Sequence, residues 1–456
     1  MESILSNFEI EYNNILQMMN CFFQTFEVNA SFFKKCNFYK QTGIPVIRVF
    51  KTIFILVFTN KNWWRTCKDG TTRYKDVIYR FLNNENYLWE NFLIQLAVKI
   101  IIKIKQLTSE ARITALVFDD TFFDRMRSKK VELLSKIFDH VDMRYKKGFC
   151  NLTCGWTDGY SFIPVMFQLV CSAKNIITKI NESIKAEAAF IRREKAQKKK
   201  TDLLIEMTQN AISCCIPFSY VLFDSWFAFP AIFVHLKSIK TNAISMLKNH
   251  HRIYYTYLGK KYTLSKLYSI IKSKLKKDRD RISIICKISA LEKNIDVKIV
   301  FIRDKKSKKN WVALLSTDID LDQNEIIRIY GMRWDIEVFF KMCKSYLCFA
   351  KEYQGLSYDM LVGHTTIVYL RFSMFSFISR EKNDGRTFGD LFYNFIDEVK
   401  SITFWEAFKM IIELLKQFLK DKLTLDDQLI DELLNEFINS LPSNFINIFG
   451  MKKCES

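Results

Sequence analysis

Glycine and proline are scarce in this chain, at 12 and 5 of 456 residues. So few breakers imply long regular elements and few flexible linkers. Histidine is scarcer still, with 5 copies, and none stands at finger spacing from a cysteine. The 12 cysteines include no CxxC pair; Cys214 and Cys215 are adjacent, and Cys150 and Cys154 lie four apart. Neither spacing matches a zinc site, so free thiols in a reducing cytoplasm are expected. No Gly-rich phosphate loop of the Walker type is present, so no nucleotide triphosphate is implied. No clean apolar run reaches the ~20 residues of a membrane helix. VIRVFKTIFILVF contains Arg48 and Lys51, and LVGHTTIVYLRFSMFSFIS contains His364 and Arg371. Both read as buried core helices. The opening MESILSNFEIEYNN is acidic and polar and does not read as a signal peptide. No internal repeat is found.

The composition is that of a globular protein, with 49% apolar and 26% charged residues. The length allows more than one domain. Lys and Arg number 69 against 49 Asp and Glu, a net charge of +20. A surplus of that size favours a polyanionic partner, nucleic acid first. An AT-rich codon bias accounts for many lysines but not for their excess over acids.

Residues 1–110 read as helical, with a basic cluster of Lys61, Arg65, Lys68, Arg73 and Lys75 beside Trp63 and Trp64. The two tryptophans suit a core role better than stacking on DNA. From Ile113 the pattern changes. ITALVFDD is a short apolar run ending in acids and reads as a central strand. Two β-rich runs flank Asp158-Gly159, a hairpin signal. Residues 183–210 read as helical and strongly basic, from Arg192 to Lys200; contact with DNA and a solvated helix face are equal readings of that run. SYVLFD reads as a second buried strand ending in Asp224, followed by a helix from Phe229 to Lys240. Residues 241–317 alternate like strands, separated by charged connections. A helix follows Asp322, a candidate N-cap, and residues 356–440 read as helical.

The sharpest pattern is YGMRWDIEVFFKMCK, residues 330–344. Tyr330, Arg333, Glu337, Lys341 and Lys344 recur at steps of three, four, four and three. At roughly 100° per residue they share one helical face about 80° wide, with Trp334 at its edge. Met332, Ile336, Phe339, Cys343 and Tyr346 form the opposite face, suited to a core. One carboxylate and three cations aimed one way suit a phosphodiester backbone.

Two strands end in acids, at Asp119-Asp120-Thr121 and Asp224-Ser225, and Glu337 adds a third carboxylate. Singly, each Asp after a strand is most often a turn residue or cap. Together they repel one another unless cations neutralise them. Hard oxygen donors select Mg²⁺ or Mn²⁺, and a pair of such ions supports phosphoryl transfer.

These residues resemble a known family. Tyr330, Arg333, Glu337 and Lys344 match a Tyr-x2-Arg-x3-Glu-x6-Lys signature at every spacing. That signature marks the insertion-sequence-four group of bacterial DDE transposases. Asp120-Thr121, the Asp ending SYVLFD, the β insertion before the last acid and the phrase YRFLNNENYLW are similar too. The resemblance spans residues 75 to 380. It implies an α/β (α+β overall) protein: a helical DNA-end-binding region at 1–110, and an RNase H-like catalytic core at 111–240 and 319–380. A β-rich insertion at 241–318 would interrupt the core, and a helical region at 381–456 would support dimerisation. It implies Asp120, Asp224 and Glu337 as the metal-binding catalytic triad, with two Mg²⁺ ions and Mn²⁺ as a substitute. Asp120 is taken over Asp119 because the family's Asp directly precedes Thr. Tyr330, Arg333 and Lys344, with Lys341 beside them, would bind phosphates of double-stranded DNA at inverted repeats and target. Trp334 would help hold a flipped base; for Trp311 that role and ordinary strand packing stand equal. His140 and His364 read as structural. The implied activity is cut-and-paste transposition in the bacterial cytoplasm at the nucleoid, by a homodimer, with a hairpin route for several members. The rivals are an RNase H-like nuclease that cuts without integrating and a non-catalytic DNA-binding derivative.

Overall fold

The computed structural model describes residues 13–59, 75–139, 142–178, 180, 184–272, 281–303, 311–353 and 355–381, with isolated positions beyond 414. Trp63, Trp64, the basic residues from Lys61 to Arg73, His140 and most of the C-terminal region lie outside them. The chain divides into two compact units, one of residues 22–54 and 73–385, the other of 1–21, 55–72 and 386–456. The larger holds every candidate site residue.

Helices α1 (Asn13–Thr25), α2 (Ala30–Lys35), α3 (Val46–Ile55), α4 (Lys75–Leu82) and α5 (Trp89–Gln106) come first. Asn29 caps α2 by accepting from the Phe32 amide at 3.1 Å. In α5 the apolar residues Trp89, Phe92, Leu93, Leu96, Ala97, Ile100 and Ile104 recur at helical spacing and are buried. YRFLNNENYLW supplies core aromatics: Tyr87 stacks on Phe38 at 4.3 Å, and Trp89 meets Phe38 edge-on at 4.7 Å.

The described strands form an 11-stranded sheet in the order β2-β3-β1-β5-β6-β11-β10-β9-β7-β8, with β4 also paired to β3. Its first part is β1 (Ala115–Asp124), β2 (Ser135–Asp139), β3 (Arg144–Thr157) and β4 (Phe162–Val170). β3 is antiparallel to β1 on one side and to β2 and then β4 on the other. The β3–β4 turn falls at Asp158-Gly159, where Gly159 takes φ +79°, which glycine adopts without a Cβ penalty. Gly155 is needed for another reason: a Cβ there would meet the Phe162 ring at 2.0 Å.

The basic stretch from 183 folds as two helices, α6 (Glu187–Ala196) and α7 (Lys200–Ser213). β5 (Tyr220–Phe223), α8 (Pro230–Ser238) and β6 (Asn242–Met246) follow. β5 runs parallel to both β1 and β6. β6 therefore belongs with the strands before it. Beyond it come β7 (Tyr255–Tyr257), β8 (Lys260–Tyr262), α9 (Leu264–Ile271), β9 (Arg281–Ala290), β10 (Lys293–Arg303) and β11 (Trp311–Ser316). β11 returns antiparallel to β6, so this β-rich stretch extends the same sheet.

The chain then gives α10 (Gln323–Gly331), α11 (Trp334–Ser345) and α12 (Tyr358–Glu381). Asp322 caps α10 through the Asn324 amide at 2.7 Å. α12 is long and apolar enough to cross a membrane, yet 94% of its most apolar window is buried. Its charged Arg371 is satisfied inside, donating to the Ile53 and Phe54 carbonyls and to Glu352 at 2.6–2.9 Å. His364 lies 3.6 Å from Glu352, and burial pushes its pKa well below the ordinary value, so it is neutral. That is a core histidine. The mixed α/β class expected from the sequence is the class observed.

Candidate active site

The site is built where β1 and β5 end beside α11. Alternation along β1 decides which acid faces where. Phe118 is in register with Phe223 of parallel β5, so the two rings share a sheet face. Phe223 packs on Phe233 of α8 at 5.4 Å, which marks that face as the α8 side. Asp120 lies on the same side as Phe118, and Asp119 and Thr121 lie on the other.

Contacts agree. Asp119 pairs with Arg333 at 3.2 Å, and Arg333 also pairs with Glu337. Thr121 receives a hydrogen bond from the Lys344 ammonium. Asp120 instead pairs with Lys200, the first residue of α7. Asp119 is thus the strand acid on the side of the signature helix, while Asp120, expected from the sequence as the catalytic acid, lines the same cavity from the Lys200 side. Asp224 follows β5 by one residue, just past the register pair Phe118–Phe223, and its charge acts on Asp119.

Burial pushes the Asp119 carboxyl up to about 7. Arg333 pulls it down, and the charges of Asp120 and Asp224 push it further up. Burial alone would lower the Arg333 guanidinium, but Tyr330, Glu337 and Asp119 hold it above its ordinary value. Charges of both signs are thus packed together in a half-buried place.

The signature stretch is not one unbroken helix. α10 ends at Gly331 and α11 starts at Trp334, with Met332 and Arg333 between them in right-handed helical backbone. The amides of Asp335 and Ile336 reach back only three residues, to Met332 and Arg333, so the chain tightens there. The two faces persist through the join. Met332, Ile336, Phe339 and Cys343 are buried. Phe339 packs on Phe162, Tyr369 and Phe372 at 4.7–5.1 Å. Asp335 is tied to Thr157 of β3 at 2.6 Å. Trp334 is 63% exposed, and Lys341 is exposed.

A cavity of about 820 Å³ opens at the ends of β1 and β5. Asp119, Asp120, Thr121, Asp224, Lys200 and Lys344 line it, with Trp226 at its wall. Lys200 was legible only as the end of the basic run from Arg192, and Trp226 carried no signal of its own.

Trp311 is not part of this cavity. It stacks on Tyr268 of α9 at 4.4 Å and leans on Phe301 of β10 at 5.6 Å. Packing between helix and strand is its observed environment. Trp311→Leu is expected to lower stability by about 0.5–1.5 kcal/mol beyond lost area while affinity for DNA ends holds. Thermal melting and a DNA titration check it; lost affinity at unchanged stability would restore a DNA role.

The basic run also divides. Arg192 and Arg193 are 2% exposed and bound to Asp359, Glu132 and Glu90, so they face no partner outside. Lys195, Lys198 and Lys199 are exposed.

The donor set Asp119, Asp224 and Glu337 is all carboxylate oxygen, the chemistry of a hard divalent ion. Among the described residues no three acid, His or Cys side chains are gathered closely enough to hold one. The Arg333 guanidinium stands between Asp119 and Glu337, a cation placed where the two carboxylates would share one.

Residues 65–262 match the sequence model of a family described as DDE superfamily endonuclease. The matched stretch carries Asp119, Asp120 and Asp224 and ends before Glu337. Among solved structures, the chain is similar to the piggyBac transposase in a cryo-EM structure of its synaptic complex with hairpin DNA. Identity is 11%, coverage 84% of this chain and 80% of that one, and the TM-score 0.46. No curated protein matches the sequence.

Proposed function

We propose that this chain is a DDE transposase of the insertion-sequence-four type, cutting DNA at terminal inverted repeats and joining the ends to target DNA. The observation that carries the reading is that Arg333 joins Asp119 to Glu337, while Asp119 and Asp224, at the ends of neighbouring strands, line one cavity with Lys344. The strand order β4-β3-β1-β5-β6, antiparallel then parallel, supports an RNase H-like core, and the match over residues 65–262 supports the DDE chemistry.

Asp119, Asp224 and Glu337 would hold the divalent cations, Mg²⁺ with Mn²⁺ as a substitute, once Arg333 gives up its place between two of them. Bound there, two such ions supply an activated water and a stabilised leaving oxygen. Arg333 turns from the carboxylates to a phosphate of the bound strand and neutralises it. Lys344, anchored by Thr121, and the exposed Lys341 take neighbouring phosphates. Tyr330 buttresses Arg333, whose guanidinium lies 5.8 Å from its ring. Strand transfer by this route is transesterification and draws on no nucleotide energy. Two ends cut in one complex call for a homodimer, acting on the bacterial chromosome in the cytoplasm, with hairpin ends as one route.

The test mixes purified protein with DNA carrying the inverted repeats that flank its gene, with Mg²⁺ or with EDTA. Mg²⁺-dependent nicks at the repeat ends, then joined products, are expected. Glu337→Gln should abolish cleavage and leave binding nearly intact, whereas Arg333→Ala should weaken both. Cleavage retained in Glu337→Gln would remove the metal-site assignment. Nicks without joined products would favour the nuclease reading, and binding without nicks the non-catalytic one.

A further inference from the structure

The stretch RMRSKK, residues 125–130, holds a dense positive charge that the reading above leaves unused. It turns directly after β1: Asp124 accepts the Met126 amide at 2.7 Å, and the Ser128 amide donates to the Arg125 carbonyl at 2.9 Å. β3 runs on past the end of β1, and its residues 144–147 pair with β2 as a two-stranded arm. The loop is fastened to the base of this arm. The Arg125 amide donates to the Lys147 carbonyl at 3.0 Å, and the Lys147 ammonium donates to the Ser128 carbonyl at 3.1 Å. Ile137, Asp139 and Lys146 of the arm line the acid cavity. A DNA strand that crosses the acids is therefore beside the arm and its loop.

Charge on this surface is one-sided. Asp139 and Asp142 are taken up by Lys146, and Arg144 leans on Asp142 at 3.3 Å. Glu132 is buried against Arg193. Arg127, Lys129, Lys130 and Lys136 are exposed, and among the described residues none of them is in an ion pair. Like charges gathered without acids repel one another, and a phosphate backbone removes that cost. A basic run that serves only to keep a surface wet has no use for apolar companions, yet this one has them. Tyr145 is 61% exposed and Met143 71%. Tyr145 is in register with Phe138, and Lys147 with Lys136, so by strand alternation Tyr145 and Lys136 share one face of the arm. Lysine contacts to phosphate carry no sequence information. The surface thus fits a duplex of any sequence, which describes the DNA flanking an element and not the element's own ends.

We propose that the 127–130 loop and the β2–β3 arm hold the flanking duplex just outside the element, the four cations on its phosphates and Tyr145 against its sugars. This rests on the DNA-cutting reading and adds a surface for the far side of the cut. Holding the duplex on both sides of the scissile phosphate fixes that phosphate over the acids.

The experiment titrates the protein, in EDTA so that the DNA stays whole, with two duplexes. One is the inverted repeat ending at the cut point; the other adds about 10 base pairs of flank, one helical turn. The longer DNA should bind tighter whatever the flank sequence, and the excess should fall steeply with salt. Replacing Lys129, Lys130 and Lys136 together by Ala should lower the slope of log affinity against log salt on the longer DNA by roughly 0.9 for each lysine. Binding of the shorter DNA and the melting temperature should not change. Tyr145→Ala should weaken the longer DNA alone and leave the slope as it was, and Tyr145→Phe should keep the affinity. Equal binding of both DNAs by the unsubstituted protein, or a triple variant that keeps the excess, would overturn the proposal and leave the transposase reading in place. A triple variant that keeps the excess but loses strand transfer would overturn it in favour of target DNA as the occupant. Failure of the unsubstituted protein to bind either DNA would remove both readings.

Discussion

Asp119→Asn should abolish DNA cleavage, and Asp120→Asn should not. The two residues are adjacent in sequence but lie on opposite faces of β1. Asp119 meets Arg333, which also holds Glu337, while Asp120 meets Lys200. A metal-binding carboxylate contributes several kcal/mol to the transition state, so its loss is worth on the order of 10³-fold or more in rate. The Asp120–Lys200 pair is partly exposed, with side chains 27% and 38% accessible. Such pairs contribute about 0–1 kcal/mol, which caps the effect of Asp120→Asn near tenfold. Mn²⁺ titration by calorimetry gives a readout independent of turnover: affinity should fall in Asp119→Asn and hold in Asp120→Asn. Both variants keep side-chain size, so folding is not the discriminator. If Asp120→Asn were the dead variant and Asp119→Asn the active one, the assignment by strand face would be wrong.

That contrast shows what the sequence could and could not carry. The strands around the site were legible because buried apolar runs such as ALVF and YVLF have no other home. The hairpin at Asp158-Gly159 and the apolar face of α11 were legible from local pattern alone. Which of two adjacent acids turns towards α11 was not, because a shift of one residue in a strand reverses every side chain. Only the register of Phe118 with Phe223, residues far apart in sequence, settles it. Trp311 was ambiguous for a similar reason, since its partner Tyr268 is on a helix that the charged surroundings concealed. The join at Met332–Arg333 was invisible because both residues keep helical backbone, and only the hydrogen bonds shorten. Arg192 and Arg193 read as part of a basic surface because burial of an arginine depends on its acids, and those lie at Glu90, Glu132 and Asp359.

Those two arginines carry the largest expected effect on stability. Asp359 accepts from both guanidiniums, at 2.6 Å from Arg193, and its side chain is 1% exposed. Glu132 holds Arg193 at 2.7 and 2.8 Å and also accepts the Tyr358 amide at 2.9 Å. Arg192 is completed by Glu90 at 2.9 Å and the Tyr87 carbonyl at 2.7 Å. The cluster thus ties α5, α6 and the start of α12 together, with Arg192, Arg193, Glu132 and Asp359 buried and Glu90 partly open at its edge. Ion pairs of this kind add little over well-packed apolar groups, but removing one partner strands the other. Asp359→Ala leaves two buried guanidiniums short of a carboxylate and should cost about 3–5 kcal/mol. Asp359→Asn, which keeps the size and one acceptor oxygen, should cost less but remain destabilising. Lys195→Ala, on the exposed side of the same helix, should stay within about 0.5 kcal/mol. Urea unfolding of the three variants gives the order directly. A neutral Asp359→Ala would mean that Glu90 and Glu132 suffice for both arginines.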